Sequence, residues 1–112
     1  MGISTHILDT AAGAPAVDVP IALARWEAED WTPLHAASTD SDGRVKHLLP
    51  VEMALEPGLY RVRFETARYY EANQLTGLYP YVDVVFEARA EQAHFHIPLL
   101  LTANGYTTYR GS

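Results

Sequence analysis

Two histidines one residue apart, His94 and His96, alternate with Phe95 and Ile97 in a run that leads on to Tyr109-Arg110-Gly111-Ser112. An imidazole, with an ordinary pKa near ~6.5, can take or give a proton at neutral pH, so acid–base chemistry could sit here. His94-x-His96 is also the spacing of two metal ligands on one strand, but a closed site needs further ligands and nothing compels a third. A solvated outer face that happens to carry two histidines is the plainer reading. Pro98 and Leu100 beside them argue against it, since an apolar outer face is often covered by another subunit. His6 lies between Thr5 and Ile7, and taken alone it is a half-exposed strand histidine. Arg44 directly follows Asp42-Gly43, where a left-handed glycine can aim the next side chain. On local evidence an exposed turn arginine accounts for it equally well. Chain ends are ordinarily small, polar and mobile. Tyr109 and Arg110 directly follow a β-rich stretch instead, so this segment is expected to be tied down.

Short alternating runs separated by turn residues must position these groups, the pattern of an all-β sandwich. Strands are expected over residues 3–8, around Val19, Ile21 and Leu23, and over 31–39, 45–49, 60–64, 81–88, 94–102 and 106–110. The clearest is the fifth, where Tyr60, Val62 and Phe64 alternate with Arg61, Arg63 and Glu65. Pro20 predicts an edge or a bulge nearby. A short helix is expected over 66–74, capped by the Thr66 hydroxyl and stopped by Gly77. In the seventh strand Phe95, Ile97, Leu99 and Leu101 share the core face, leaving His94, His96, Pro98 and Leu100 on the other. Tyr60, Tyr69, Tyr70, Tyr79, Tyr81, Trp26 and Trp31 read as packing or interface residues. Eight strands and one short helix fit two packed four-stranded sheets.

At 112 residues the chain is expected to be one domain, 1–112, burying roughly two thirds of its unfolded surface. A net charge of -6 offers no basic stripe for phosphates, so nucleic acid is not an expected partner. The absence of cysteine excludes disulfides and thiolate zinc sites and fits a reducing compartment. No apolar run approaches the ~20 residues of a membrane helix, and the N-terminus lacks the pattern of a signal peptide. No membrane association is expected, and the expected location is the cytoplasm. There is no glycine-rich phosphate loop and no serine nucleophile in a recognisable elbow.

Three blocks carry a resemblance that spans essentially the whole chain: Ser4-Thr-His-Ile-Leu-Asp-Thr10 with Gly13-Ala-Pro-Ala16, Thr39-Asp-Ser-Asp-Gly-Arg44, and His94-Phe-His-Ile-Pro-Leu-Leu-Leu101 with Tyr106-Thr-Thr-Tyr-Arg-Gly-Ser112. With Gly58-Leu-Tyr60 and Leu78-Tyr-Pro-Tyr81 between them, the chain resembles the transthyretin-related family of 5-hydroxyisourate hydrolases. It departs at Phe95, where the family usually has Tyr, and in the Thr102-Ala-Asn-Gly105 loop. The resemblance implies a transthyretin-like, eight-stranded sandwich and a homotetramer, a dimer of dimers, with sites in a channel between dimers. It implies that His6, Arg44 and His96 are catalytic, and that His6, Arg44, Tyr109, Arg110, Gly111 and Ser112 bind substrate. The implied reaction opens the ring of 5-hydroxyisourate hydrolytically, without metal or cofactor. His6 and His96 would share activation of water, Arg44 would hold oxygens of the substrate, and Tyr109 would position it by a hydrogen bond. The hormone carrier transthyretin shares the fold but lacks this His, Arg, His and Tyr-Arg-Gly-Ser set, so a carrier without catalysis is the alternative.

Overall fold

Side chains that alternate across a strand put one row of apolar groups inward, and two such sheets close on each other to bury both rows. The computed structural model describes residues 2–112; Met1, the first residue of the expected domain, lies outside them. The elements run β1 (Gly2–Asp9), β2 (Ala14–Pro15), β3 (Pro20–Glu27), β4 (Asp30–Ser38), β5 (Arg44–Val45), β6 (Gly58–Phe64), α1 (Thr66–Ala72), β7 (Val82–Ala88), β8 (His94–Thr102) and β9 (Gly105–Thr108). One sheet has the order β2-β1-β8-β9, with β5 also pairing β1; the other has the order β4-β3-β6-β7. β1 and β8 run parallel, in register from Gly2 opposite His94 to Asp9 opposite Leu101. This is the expected sandwich with one short helix. No helix among the described residues is long and apolar enough to cross a membrane.

Four local expectations need correction. The two-residue β2 joins the first sheet, which therefore has five strands rather than four. The expected strand over 45–49 is strand only at Arg44–Val45. Beyond it the chain turns inward, burying Leu48 and Leu49 while the Leu48 N–H donates to Ile3 O at 2.9 Å. Thr66 does not cap α1: Glu65 holds the cap position without a side-chain bond, and the Thr66 hydroxyl donates to Tyr79 O. Gly77 does not stop the helix, which ends at Ala72. A Cβ at Gly77 would instead fall inside the Tyr70 ring, so close packing is what requires glycine there. Pro20 opens β3, where a missing N–H costs little, and the bulge it hinted at lies opposite Leu23 and Ala24, in the pairing with β4.

The core holds Ile3 and Ile7 from β1, Ile21 and Leu23 from β3, Tyr60, Val62 and Phe64 from β6, and Phe95, Ile97, Leu99 and Leu101 from β8. The expected inward face of β8 is therefore the observed one. Tyr69 and Tyr70 are buried beside it, whereas Tyr81 is exposed beneath the Arg63 guanidinium, 4.1 Å from its ring centre.

Asp9 is a buried carboxylate at the end of β1. It accepts bonds from the Ala11 and Ala12 N–H groups and from the Tyr69 hydroxyl at 2.7 Å, which ties α1 to the first sheet. Burial, then the Asp9 carboxylate, push the Tyr69 phenol up to about 12. Tyr69→Phe is expected to cost about 1–3 kcal/mol in denaturant unfolding at neutral pH by leaving an Asp9 oxygen unpaired. A raised phenol pKa contributes stability below the unfolded value of ~10 and loses it as pH climbs through the folded one. The gap between wild type and Tyr69→Phe should therefore shrink between pH ~10 and about 12.

Candidate active site

Residues that face each other across paired strands share a side of the sheet, so pairing decides which polar groups meet. Ser4 lies opposite His96 and His6 opposite Pro98 in the β1–β8 ladder. On the other edge of β1, His6 lies opposite Arg44. The outer face of the first sheet thus gathers His6, Arg44, His94 and His96 from three strands that are far apart in sequence.

Arg44 is aimed by the turn before it. Asp40 organises that turn, its carboxylate accepting from the Arg44 N–H at 3.0 Å and from the Asp42 N–H at 2.9 Å. Those two backbone bonds, Arg44 first, hold the Asp40 carboxyl below the usual range. Gly43 is left-handed at φ +74, and an added Cβ would come within 2.5 Å of Ile7 O. Two independent requirements, conformation and space, therefore select glycine immediately before Arg44.

His96 sits at the centre of the face, half-buried. Its Nδ1 is 2.8 Å from Ser4 Oγ, and the same oxygen is 3.0 Å from His94 Nε2. Desolvation lowers the His96 pKa below its ordinary 6.5, with the Arg44 charge, His6 and His94 adding to the effect. The shift favours the neutral ring, and Nε2 makes no hydrogen bond among the described residues. Ser4, Thr5, Arg44, Lys46, His94, His96 and Ser112 line a cleft of about 340 Å³ over it. His6 is close enough to disfavour charge on His96 but does not line this cleft in the single protomer.

The Tyr-Arg-Gly-Ser segment is tied down, and its residues divide between two faces. β9 pairs with β8 up to Leu99 opposite Thr108. Pro98 has no N–H to offer next, and the Thr108 hydroxyl instead donates to Pro98 O at 2.8 Å. The ladder resumes where Gly111 N–H donates to His96 O at 2.8 Å. A Cβ on Gly111 would lie 2.5 Å from His96 Cδ2, so the backbone closes directly on the imidazole. Ser112 accordingly lines the His96 cleft, and the Gly111 backbone packs against the imidazole beside it. Arg110 goes the other way: its guanidinium lies 4.6 Å from the Phe95 ring centre and donates to His94 O at 3.1 Å. With Tyr109 it lines a separate, mostly apolar cleft of about 200 Å³ beside Phe86, Phe95 and Ile97.

Pro98, expected to offer an apolar outer surface, is already buried within the protomer, and Leu100 is half-buried. Among the described residues no group of three His, Cys, Asp or Glu is placed to hold a metal ion. Sequence reasoning did not single out Ser4 or Lys46. Their signal was present but silent, because their partners are reached only through strand pairing.

A protein from Salmonella dublin described as 5-hydroxyisourate hydrolase is 44% identical over 110 residues, covering 98% of this chain and 80% of that protein. The solved structure of Klebsiella pneumoniae 5-hydroxyisourate hydrolase matches with a TM-score of 0.87 at 30% identity, covering 100% of both chains. Sea bream transthyretin in complex with thyroxine matches with a TM-score of 0.92 at 31% identity, covering 99% of this chain and 95% of that one. The backbone is therefore transthyretin-like whichever activity accompanies it, and the residues on the outer face carry the distinction. The family description that matches residues 3–111 is HIUase/Transthyretin, and with that span and these relatives the chain belongs to the HIUase/Transthyretin family.

Proposed function

We propose that the protein is a cyclic amide hydrolase that opens the ring of 5-hydroxyisourate, a step in urate degradation. The observation that carries this reading is a half-buried His96 held toward its neutral form beside Arg44 and His6 on one open sheet face. A carrier has no use for such a group. A hydrolase needs it to take a proton from water.

In this mechanism water approaches the free Nε2 of His96, which removes a proton as oxygen attacks the ring carbonyl. Arg44 holds substrate oxygens and stabilises the negative charge that develops on the carbonyl oxygen. His6 shares in orienting water and in returning a proton to the departing ring nitrogen. Ser112 forms part of the cleft wall, the Gly111 backbone holds the His96 ring in place, and Tyr109 contacts substrate once a second subunit completes the channel. No cofactor or metal takes part. The same reading makes the protein a cytoplasmic homotetramer, which light scattering at assay concentration would test. An active monomer would contradict it.

The deciding assay generates 5-hydroxyisourate with urate oxidase and follows its ultraviolet decay with and without this protein. Faster decay is expected, and an unchanged decay would overturn the hydrolase reading. Chelator should leave the rate unaltered. Because the His96 pKa is lowered, the base stays neutral to below pH 6.5. The acid limb of kcat/KM should therefore lie below that value, and a limb above it would exclude His96 as the base.

A further inference from the structure

Ser4 Oγ stands between two imidazole nitrogens, 2.8 Å from His96 Nδ1 and 3.0 Å from His94 Nε2. A hydroxyl has one proton to donate, so two arrangements satisfy all three groups. In the first, His96 Nδ1–H donates to Ser4 Oγ, and the Ser4 hydroxyl donates to a bare His94 Nε2. In the second, His94 Nε2–H donates to Ser4 Oγ, and the Ser4 hydroxyl donates to a bare His96 Nδ1. The first leaves His96 Nε2 as an acceptor toward the cleft. The second makes it a donor.

We propose that Ser4 and His94 form a proton relay that sets the tautomer of His96 and carries its charge out to solvent. The catalytic consequence rests on the hydrolase reading; the coupling of the two tautomers does not. The step balances as follows. A water proton arrives at His96 Nε2, the Nδ1 proton passes to Ser4 Oγ, and the Ser4 hydroxyl proton passes to His94 Nε2. Hydroxide has been delivered to the substrate, His96 is neutral with Nε2–H ready to protonate the departing nitrogen, and His94 is an imidazolium. As His96 Nε2–H passes to the departing nitrogen, the His94 Nε2 proton returns through Ser4 Oγ to His96 Nδ1, so that all three groups regain their starting state.

The direction of transfer follows from the surroundings. His96 is faced by Ser4 and His6 from β1, by Arg44 from β5 with Lys46 on the same cleft, by His94 on its own strand, and by Gly111 and Ser112 from the tail. Every ionisable side chain in that set is a cation or becomes one, so a positive charge on the half-buried ring is opposed from several sides. His94 is exposed, and water stabilises the same charge there. Moving the charge two residues along the strand takes it from the crowded position to the solvated one. It also prepares His96 for the second proton transfer without waiting for solvent to reach the cleft.

The test uses the full chain labelled with ¹⁵N-histidine, with the ring nitrogens of His94 and His96 followed against pH by long-range NMR correlation. In the wild type, His96 should read as the Nδ1–H tautomer while His94 is neutral. As His94 takes up its proton, His96 should shift toward Nε2–H. Ser4→Ala should uncouple the two titrations and lower kcat about 10–100-fold with little change in KM, the scale expected when the partner of a working histidine is lost. Ser4→Thr, which keeps the hydroxyl, should restore both, and His94→Ala should abolish the tautomer shift of His96. An uncoupled wild type would overturn the relay, as would Ser4→Ala with a wild-type titration and kcat, or a folded Ser4→Thr no better than Ser4→Ala. Coupled titrations in a wild type inactive on 5-hydroxyisourate would support the relay while removing the hydrolase reading.

Discussion

His96→Ala is expected to lower kcat by about 10²–10⁴, the contribution of a positioned acid–base group, or about 2.7–5.4 kcal/mol of barrier. Arg44→Ala should lose about 10²–10³, as when one stabiliser of a developing oxyanion is removed. His6→Ala should also lose orders of magnitude, although His6 stands beside the protomer's cleft rather than in its lining. All three side chains lie on the solvent side of the first sheet, so unfolding free energies should stay within about 1–2 kcal/mol of wild type. His35 and His47 supply the contrast. Both are exposed, His35 on the outer strand of the other sheet and His47 in the loop after β5. Their alanine variants should keep near wild-type kcat in the ultraviolet assay. A His35→Ala loss matching that of His6→Ala would show that the outer face of the first sheet is not the site.

Removal of Tyr109 to Ser112 should cost about 10²-fold or more in turnover, because it takes away the backbone that closes on His96, and small displacements of a catalytic group cost that much. What the segment contributes to stability is modest: one resumed bridge to His96, one exposed hydrogen bond from Arg110 to His94 O, and one contact of Arg110 with the Phe95 ring, about 0.5–1 kcal/mol for the last. The melting temperature should fall by a few degrees only, since about 1 kcal/mol shifts a domain of this size by ~4–8 °C. Gly111→Ala sharpens the test. Its Cβ would meet His96 Cδ2 at 2.5 Å and Pro98 Cγ at 3.3 Å, so the imidazole or the tail must move. Activity should drop in Gly111→Ala while Arg110 and its contacts remain. Arg110→Ala should do less, since Arg110 faces the Phe95 side rather than the cleft. Full turnover in the truncated chain would mean that His6, Arg44 and His96 suffice.

Much of this architecture was legible in the residue pattern. β6 alternates regularly and β8 does so over His94–Ile97, which suffices to assign their buried faces. Phe95, Ile97, Leu99 and Leu101 lie in the core as that period demands, although Pro98 on the opposite face is buried too. Asp42-Gly43 announced a turn, and Gly43 occupies a left-handed conformation there. Where the pattern misled, a nonlocal contact had overridden a local preference. Thr66 has the chemistry of a cap, but its hydroxyl is engaged by Tyr79 O. Gly77 has the look of a helix stop, but the ring of Tyr70 is what excludes a side chain. Residues 45–49 read as a short strand after the Asp42-Gly43 turn, but Leu48 and Leu49 are drawn into the core instead of extending the β5 ladder.

The candidate site divides along the same line. Side-chain identity and period 2 determined that His94 and His96 share a face away from the core, because the pleat alone sets that. Resemblance to a known family added His6, Arg44 and the tail as residues of one site. Only the tertiary structure decided how they meet. The parallel ladder between β1 and β8 puts Ser4 beside His96, and the short β1–β5 ladder puts Arg44 beside His6. Register between strands distant in sequence depends on the closure of the whole sandwich, so no local window contains it. The same closure separated Gly111 from Arg110, neighbours in the chain. Once the tail pairs with β8, alternation sends one to the imidazole and the other to the far side of the sheet.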